Sequence, residues 1–368
     1  FTFIFSEPLV EIVETGFSTL SELLLAALTG IGASEIFISF VVDGIVSGLG
    51  SVLSIVPVLF LLFIAIAMLE DSGYMARIAY VMDKPMRMMG LSGKAFVPFL
   101  LGFGCNVSAV MATRTIENKR DRLITILANP FISCSARLPV YVLFTSVFFP
   151  KRQALVLGSL YLLGVFMAII SVKLFGKIVP EQDDSSFIIE LPPYRLPTLK
   201  GVFLHMWENV RGFLNKVSNI ILAAVVIIWL LSSLPFGVEY ASDESMIGRM
   251  SSLIAPILKP AGFGTWQAAI ALIFGVLAKE IVISTLGVVY KAGSFGLAAV
   301  LSEHFTPLSA YSFMVMTLLY APCIATIGSI RSETKSLKWT AVSVIYGLII
   351  AWTMSVLIYQ IGLMLGFS

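Results

Sequence analysis

The sequence predicts an all-α protein that crosses a membrane several times. Hydrophobic residues make up 58% of its 368 residues, and charged residues only 12%. Soluble domains carry about 25% charged residues, so half that density leaves too little polar surface unless lipid covers much of the chain. Apolar stretches such as Val52–Leu69 and Ala154–Val172 approach, with their flanks, the roughly 20 residues that span hydrocarbon.

Charge and cysteine content argue against other classes. The formal net charge is +2 and no basic run resembles a binding patch, so we expect no nucleic acid partner. Three cysteines without paired spacing argue against a disulfide framework. The chain has no initiating Met, and Phe1–Phe5 reads as the tail of an apolar segment, so we expect a fragment of a longer polypeptide.

Charge asymmetry predicts the topology of the N-terminal part. No Lys or Arg precedes Arg77, whereas acidic residues are frequent, so the first stretch faces outward by the positive-inside rule. We expect residues 1–47 to hold the end of a first membrane segment and an external amphipathic helix at Glu11–Leu28. A full crossing then runs from about Gly48 to Glu70 and reaches the cytoplasm.

Residues 48–176 are predicted to form a first repeat, in which a hairpin follows this crossing. The apolar piece Phe96–Ala112 has basic residues on both sides. Both of its ends therefore lie in the cytoplasm, and the segment must enter the membrane and return. Gly102 and Gly104 at its centre supply the reversal.

Two crossings complete the first repeat. Leu123–Phe148 is interrupted by prolines on both sides of Cys134, whereas Gln153–Phe175 is uninterrupted. Residues 177–216 are expected to form a basic, Pro-rich cytoplasmic and interfacial segment, which cannot be regular helix around its prolines.

Residues 217–368 are predicted to form a second repeat of inverted orientation. After a crossing at Val217–Leu234, charge parity requires an odd number of crossings before the cytoplasmic Lys335. The economical solution gives a hairpin from outside, a broken crossing and an intact crossing: Trp266–Tyr290, Ala310–Ile330 and Trp339–Leu365. The rival solution makes the first of these cross fully and the second re-entrant. Inverted repeats with discontinuous helices are the plan of many secondary transporters.

Helix breakers beside polar residues in these segments predict a binding site. Unpaired backbone groups cost several kcal/mol each in hydrocarbon, so a break survives only against protein or a water-filled cavity. Four breaks occur, and all three cysteines fall in them: Gly104-Cys105-Asn106, Ser133-Cys134-Ser135, Lys279-Glu280 and Pro322-Cys323. Mixed sulfur and oxygen donors suit Fe²⁺ or a similar transition metal.

We rank the candidate metal contacts in two groups: first Cys105, Asn106 and Cys323, then Cys134, Ser133 and Glu280. Ordinary structural roles compete with this interpretation. A buried cysteine often serves as a small hydrophobe, and Lys279 with Glu280 could form a salt bridge that locks the hairpin.

Several blocks resemble the ferrous iron transport protein B (FeoB) family. Gly102–Val107, with Ala112–Thr115 after it, resembles the first Gate motif, and Ala321–Thr326 resembles the second. Further blocks follow in family order: Glu70–Arg77, Asn129–Tyr141, Glu190–Pro197 and Ala278–Glu280. One departure is Ser108, where the family usually has proline, and we expect the serine to cap a helix N-terminus instead.

The resemblance implies ferrous iron uptake across a prokaryotic plasma membrane through a midplane site in a nucleoside-permease-like fold. It also implies a GTP-binding domain upstream on the full-length polypeptide, outside this chain, and a small partner, FeoA. We expect contact with lipid, allow for a homo-oligomer, and expect no tightly bound cofactor and no enzymatic activity. Two alternatives stay open: a Gate-type permease for nucleosides or other small solutes, and a passive anchor or signalling partner for a G domain.

Overall fold

The computed structural model describes residues 2–30, 71–180, 198–234, 244–290 and 296–366, with isolated residues between 38 and 69 and residue 242. Every regular element in these ranges is helical, which confirms the all-α prediction. Five helical stretches among them are long and apolar enough to cross a membrane, so the chain is a multi-pass membrane protein.

In chain order the α-helices are α1 (Thr2–Gly30), α2 (Tyr74–Val81), α3 (Asp83–Met88), α4 (Phe96–Gly102), α5 (Asn106–Ala112), α6 (Lys119–Ala128), α7 (Leu138–Phe148), α8 (Gln153–Ile178), α9 (Leu199–Ser233), α10 (Met246–Leu258), α11 (Trp266–Leu277), α12 (Ile281–Val289), α13 (Leu297–His304), α14 (Pro307–Leu319), α15 (Ile324–Thr334) and α16 (Leu337–Met364). Short 3₁₀ turns lie at Gly93–Ala95, Thr113–Thr115, Asn129–Phe131, Ser135–Arg137 and Lys259–Ala261. The chain forms two compact units, residues 1–77 with 190–240 and residues 78–189 with 241–368.

The first unit contains the long helices α1 and α9. Helix α1 is continuous, and its part Val10–Gly30 is long and apolar enough to cross a membrane. The expected division of residues 1–47 into a membrane segment and an external helix stays a prediction. Most of the predicted crossing from Gly48 to Glu70, and the Pro-rich residues 181–197, lie outside the described residues.

The second unit holds every candidate metal contact, in two halves, residues 78–180 and 244–366. In the first half α4 and α5 pack against each other, α6 and α7 are separated by two 3₁₀ turns, and α8 is unbroken. In the second half α11 and α12 pack together, α14 and α15 are separated by four residues, and α16 is unbroken. The boundaries of the two repeats and their inverted orientation in a membrane stay predictions.

Helices α11 and α12 form a hairpin, because the outer ends of the pair meet. The hydroxyl of Thr265, which caps α11, lies 3.4 Å from the hydroxyl of Tyr290, directly after α12. A β-carbon added at Gly275 would lie 2.5 Å from Val282 Cγ2. In a continuous helix these two residues would be about 10 Å apart along the axis, so the chain reverses at residues 278–280. Which of the two predicted assignments holds in the membrane stays a prediction.

Helix α10 lies between the predicted crossing at Val217–Leu234 and the predicted hairpin at Trp266–Tyr290, where the sequence analysis predicted no helix. It is followed by a sharp bend of 102° into α11. The side chain of Ser245 caps the helix by accepting from the Gly248 amide at 3.1 Å. Large apolar residues on one face of α10 stay exposed, including Met250, Leu253 and Ile257. Such a face is suited to lipid.

The two halves of the second unit share one hydrophobic core. The rings of Phe144 in α7 and Phe313 in α14 stack with centroids 5.1 Å apart. Phe305 and Phe263 add edge-to-face contacts to these two rings, at 5.5 and 5.4 Å. Such aromatic pairs contribute about 0.5–1.5 kcal/mol each beyond the area that they bury, so this core fixes the broken helices of both halves against each other.

Candidate functional site

Cys105 lies in the turn between α4 and α5, in extended conformation directly before α5. Its neighbour Asn106 is 4% exposed, and Asn106 Nδ2 donates to the Ile132 carbonyl at 3.4 Å. Asn106 Oδ1 has no hydrogen-bond partner among the described residues. Buried polar atoms are nearly always paired, so an unpaired amide oxygen here marks a place for a ligand or a water molecule.

The expectation that Ser108 caps α5 is wrong. Its hydroxyl donates to the Cys105 carbonyl at 2.8 Å, and no side chain caps the helix at its start. Ser108 lies inside the first turn of α5, where its hydroxyl reaches back to that carbonyl more readily than to a free amide. The Cys105 carbonyl also accepts from the Ala109 amide at 3.1 Å, which leaves the thiol as the group of Cys105 that can bind a ligand.

The break between α6 and α7 is docked onto the first hairpin. The Gly104 carbonyl accepts hydrogen bonds from the amide and the hydroxyl of Ser135, at 3.2 and 2.8 Å. The buried guanidinium of Arg137 donates to the carbonyls of Ile132 and Pro130, each at 3.3 Å. These donors satisfy carbonyls that the broken helix leaves without partners.

Cys134 and Ser133 lie inside this break. Cys134 is 9% exposed and Ser133 is 1% exposed. The Ser133 hydroxyl donates to the Tyr141 hydroxyl at 3.3 Å, so it is less available to a ligand than the Cys134 thiol.

The two breaks of the second half also meet. Lys279, in the turn between α11 and α12, donates from Nζ to the Ala321 carbonyl at 2.7 Å. Cys323 directly precedes α15, and its sulfur lies 3.1 Å from Thr326 Oγ1. Glu280, the next residue after Lys279, is half-buried. The geometry therefore brings Cys323 and Lys279 to the same break, and it gives Glu280 no hydrogen-bond partner in that break among the described residues.

The three thiols come together from three different breaks. Gly104 and Ser135, the neighbours of Cys105 and Cys134, are hydrogen-bonded to each other, and the helices that begin directly after Cys105 and Cys323, α5 and α15, pack together. No group of three His, Cys, Asp or Glu side chains in the described ranges is close enough to hold a metal ion by itself. Amide, hydroxyl or carbonyl oxygens would therefore have to complete a metal site here.

The sequence analysis missed two polar residues of this cluster. Asn129 is fully buried at the end of α6, and neither atom of its amide group has a partner among the described residues. Arg137 is fully buried, and its Nε is likewise unpaired there. An ionisable residue inside an apolar segment is a functional candidate by default, and this signal was available for Arg137 from the sequence.

A second polar cluster joins the two halves beyond the thiols. The Glu333 carboxylate, 4% exposed, accepts from Arg114 Nε at 3.0 and 2.9 Å and from Arg122 at 2.7 Å. Hydrogen bonding to this carboxylate raises the pKa of the Arg114 guanidinium above its ordinary value. The cluster ties the end of α15 to the end of the first hairpin and the start of α6.

Broken helices and hairpins whose breaks meet in one buried polar cluster define a discontinuous-helix membrane protein. The family model described as Gate, nucleoside recognition, matches residues 52–148 and 214–337. A second model, described as the ferrous iron transport protein B C terminus, matches residues 157–209. The chain belongs to the FeoB family, and the resemblance of its motifs to that family is thereby confirmed.

Curated relatives named Fe(2+) transporter FeoB match almost the whole chain. The relative from Staphylococcus aureus (strain MSSA476) is 46% identical over 345 residues, which cover 94% of this chain and 52% of the relative. The relative from Methanocaldococcus jannaschii is 42% identical over 371 residues, covering 98% and 55%. A Porphyromonas gingivalis relative, named as a fusion of Fe(2+) transport protein A and Fe(2+) transporter FeoB, is 40% identical over 378 residues, covering 89% and 45%. The chain spans about half the length of the curated relatives it matches. No solved structure matches it significantly.

Proposed function

We propose that this chain is the region of a ferrous iron transporter through which Fe²⁺ crosses the prokaryotic plasma membrane. The convergence of the three helix breaks that contain Cys105, Cys134 and Cys323 is the observation that carries the proposal. Thiolates suit transition metals, whereas carboxylates and carbonyls suit Mg²⁺ and Ca²⁺. The names of relatives at 42–46% identity support the same cargo.

The transported ion would be held by donors from both halves of the second unit. Cys105, Asn106 and Cys323 are the first contacts, because they bring two thiols and an amide oxygen that has no other partner among the described residues. The second group is Cys134, Ser133 and Glu280. Ser133 would have to give up its hydrogen bond to Tyr141.

Transport would follow from movement of the halves around this cluster. Rocking of one repeat against the other exposes a fixed midplane site to each side in turn in transporters built from discontinuous helices. The region itself would act as a permease rather than as an enzyme. A GTP-binding domain upstream on the full-length polypeptide and the small protein FeoA are proposed partners, and the printed name of the Porphyromonas gingivalis fusion supports the second of these.

The ligand assignment is tested by changing the cysteines in the full-length protein. Cys105→Ser and Cys323→Ser should each lower the initial rate of radioactive Fe²⁺ uptake by about tenfold or more, since even groups that only orient a metal's ligands have effects of that size. Ala154→Ser, at an exposed position of α8, is the control and should leave uptake unchanged. Wild-type uptake by both cysteine variants, at equal amounts in the membrane, would show that the assignment is wrong.

A second candidate function is a permease for nucleosides or other small solutes. The description of the Gate model favours it, and the unpaired amides of Asn106 and Asn129 offer hydrogen bonds to a base or a ribose. Uptake of labelled uridine that persists with an iron chelator, without Fe²⁺ uptake, would support this candidate. Fe²⁺ flux into vesicles that contain this chain alone would exclude a role as a passive anchor for a G domain.

A further inference from the structure

The ammonium group of Lys279 lies inside the protein among groups that attract cations. The side chain is 2% exposed. Its Nζ is 2.7 Å from the Ala321 carbonyl oxygen and 3.2 Å from the centroid of the Tyr320 ring. In the part of the chain that the structure describes, no ion pair joins Lys279 to a carboxylate. The groups that contact this charge are therefore a carbonyl oxygen and the face of an aromatic ring.

The Ala321 carbonyl is available because the helix is broken there. Helix α14 ends at Leu319 and α15 begins at Ile324, and Pro322 between them has no amide hydrogen to donate. A carbonyl released in this way is the kind of oxygen that coordinates cations in transporters with discontinuous helices. The ammonium of Lys279 is hydrogen-bonded to that oxygen.

The same ammonium borders the thiol cluster. Its hydrogen-bond partner Ala321 lies two residues before Cys323, in the same break. Its positive charge opposes the entry of a divalent cation, and this repulsion is strong where little water screens it. A lysine in this position would make a metal site weaker than its donor atoms alone would make it.

We propose that Lys279 is a tethered competitor of the transported cation. Its ammonium occupies the Ala321 carbonyl and the Tyr320 ring while the site is empty, and the arriving metal ion displaces it. When the metal ion leaves, the ammonium returns and speeds release. The inference rests on the proposed function, because a competitor needs a cation with which to compete, and it names Lys279 as a residue that sets the affinity of that site.

A purely structural role for Lys279 predicts the opposite effect on binding. If the ammonium only fastens the second hairpin to the broken helix, its removal should loosen the breaks and weaken metal binding. Competition predicts that removal of the charge tightens metal binding. The sign of the change in affinity therefore separates the two roles.

The test is equilibrium binding of Mn²⁺ and of anaerobic Fe²⁺ to the purified full-length protein. Lys279→Met keeps the length of the side chain and removes the charge. It should lower the Kd for both ions by about tenfold or more and slow their release, because a repelling charge has left a poorly screened site. Lys338→Met makes the same chemical change at an exposed lysine of the second half and should leave the Kd unchanged.

A second pair of variants removes the aromatic face instead of the charge. Tyr320→Leu should weaken the hold on the ammonium and so lower the Kd for metal, by less than Lys279→Met does. Tyr320→Phe keeps the ring and should bind metal as the wild type does, since the Tyr320 hydroxyl has no hydrogen-bond partner among the described residues. This pair decides the question if Lys279→Met does not fold.

A Kd for metal in Lys279→Met that equals or exceeds the wild-type Kd would overturn the competitor role. If Lys279→Met does not fold, the same result in Tyr320→Leu would overturn it. If the wild type binds metal and only the expected tightening is missing, this inference fails and the proposed function stands. If the wild type binds neither Fe²⁺ nor Mn²⁺, the proposed function fails and the competitor role fails with it.

Discussion

The two halves of the second unit close their helix breaks in the same place but with different chemistry. In the first half the hairpin supplies the acceptor, because the Gly104 carbonyl receives the amide and the hydroxyl of Ser135. In the second half the hairpin supplies the donor, because Lys279 binds the Ala321 carbonyl. A neutral hydrogen bond depends little on nearby ions, whereas a buried ammonium responds to every charge around it.

The two halves therefore have different roles at the site. The first half offers a fixed surface, with two thiols and two amide groups around a break whose contact with its hairpin is made by neutral groups, while the Arg137 guanidinium binds carbonyls inside the break. The second half offers a contact that can be exchanged, because the cation in it can be replaced by another cation. Besides Lys279→Met and the cysteine variants, three matched pairs of variants test how far this contrast extends.

Loss of the Glu333 carboxylate should have the largest effect on stability. Glu333→Gln keeps the shape of the side chain but leaves Arg114 and Arg122 without their counter-charge. We expect the free energy of unfolding to fall by about 2–3 kcal/mol, less than for a fully buried pair because Arg114 is half exposed. Thermal unfolding of the detergent-solubilised protein measures the change.

Glu117→Gln is the control for Glu333→Gln. The Glu117 carboxylate is 58% exposed and pairs with Lys94 within the first half at 2.9 Å. An exposed pair of this kind contributes less than about 1 kcal/mol. Equal losses in the two variants would show that the cluster between the halves is no more important than an ordinary surface ion pair.

The unbroken helices should differ in their tolerance of an added methyl group. A β-carbon at Gly164 in α8 would lie 2.7 Å from the Phe131 carbonyl oxygen in the first break. At Gly347 in α16 the nearest atom, the Leu319 carbonyl oxygen, would be 3.6 Å away. Gly164→Ala should therefore cost about 1–2 kcal/mol, whereas Gly347→Ala should be neutral or stabilise by up to about 1 kcal/mol. Thermal unfolding of both variants checks the order, and a reversed order would contradict the described packing.

Ser135→Ala should have the smallest effect. It removes the hydroxyl that binds the Gly104 carbonyl, while the amide of the same residue keeps its own bond to that oxygen. We expect a loss of about 1 kcal/mol in stability and an unchanged Kd for Mn²⁺. The exposed Ser146→Ala in α7 serves as its control. A tightening of Mn²⁺ binding like that expected for Lys279→Met would remove the contrast between the halves.

Much of the arrangement could be predicted from the sequence, because helix breakers act locally. Glycine permits a reversal of the backbone and proline removes an amide donor, so the breaks at Gly104 and Pro322 follow from the residues themselves. Helix α10 was missed, although the helical spacing of its apolar residues Met250, Leu253 and Ile257 was available from the sequence. The role of Ser108 was wrong because a serine near a helix start can either accept from an amide or donate to a carbonyl, and the sequence does not distinguish the two.

The sequence by itself determined that the chain is embedded in a membrane, where its helices break and that each cysteine lies in a break. Only the tertiary structure decided which breaks meet. The bond from Lys279 to Ala321 joins residues 42 positions apart, and the bond from Arg114 to Glu333 joins residues 219 positions apart. Local composition sets where a helix stops, but such contacts depend on how whole helices pack, and only that packing brings the three thiols and the buried ammonium of Lys279 into one place.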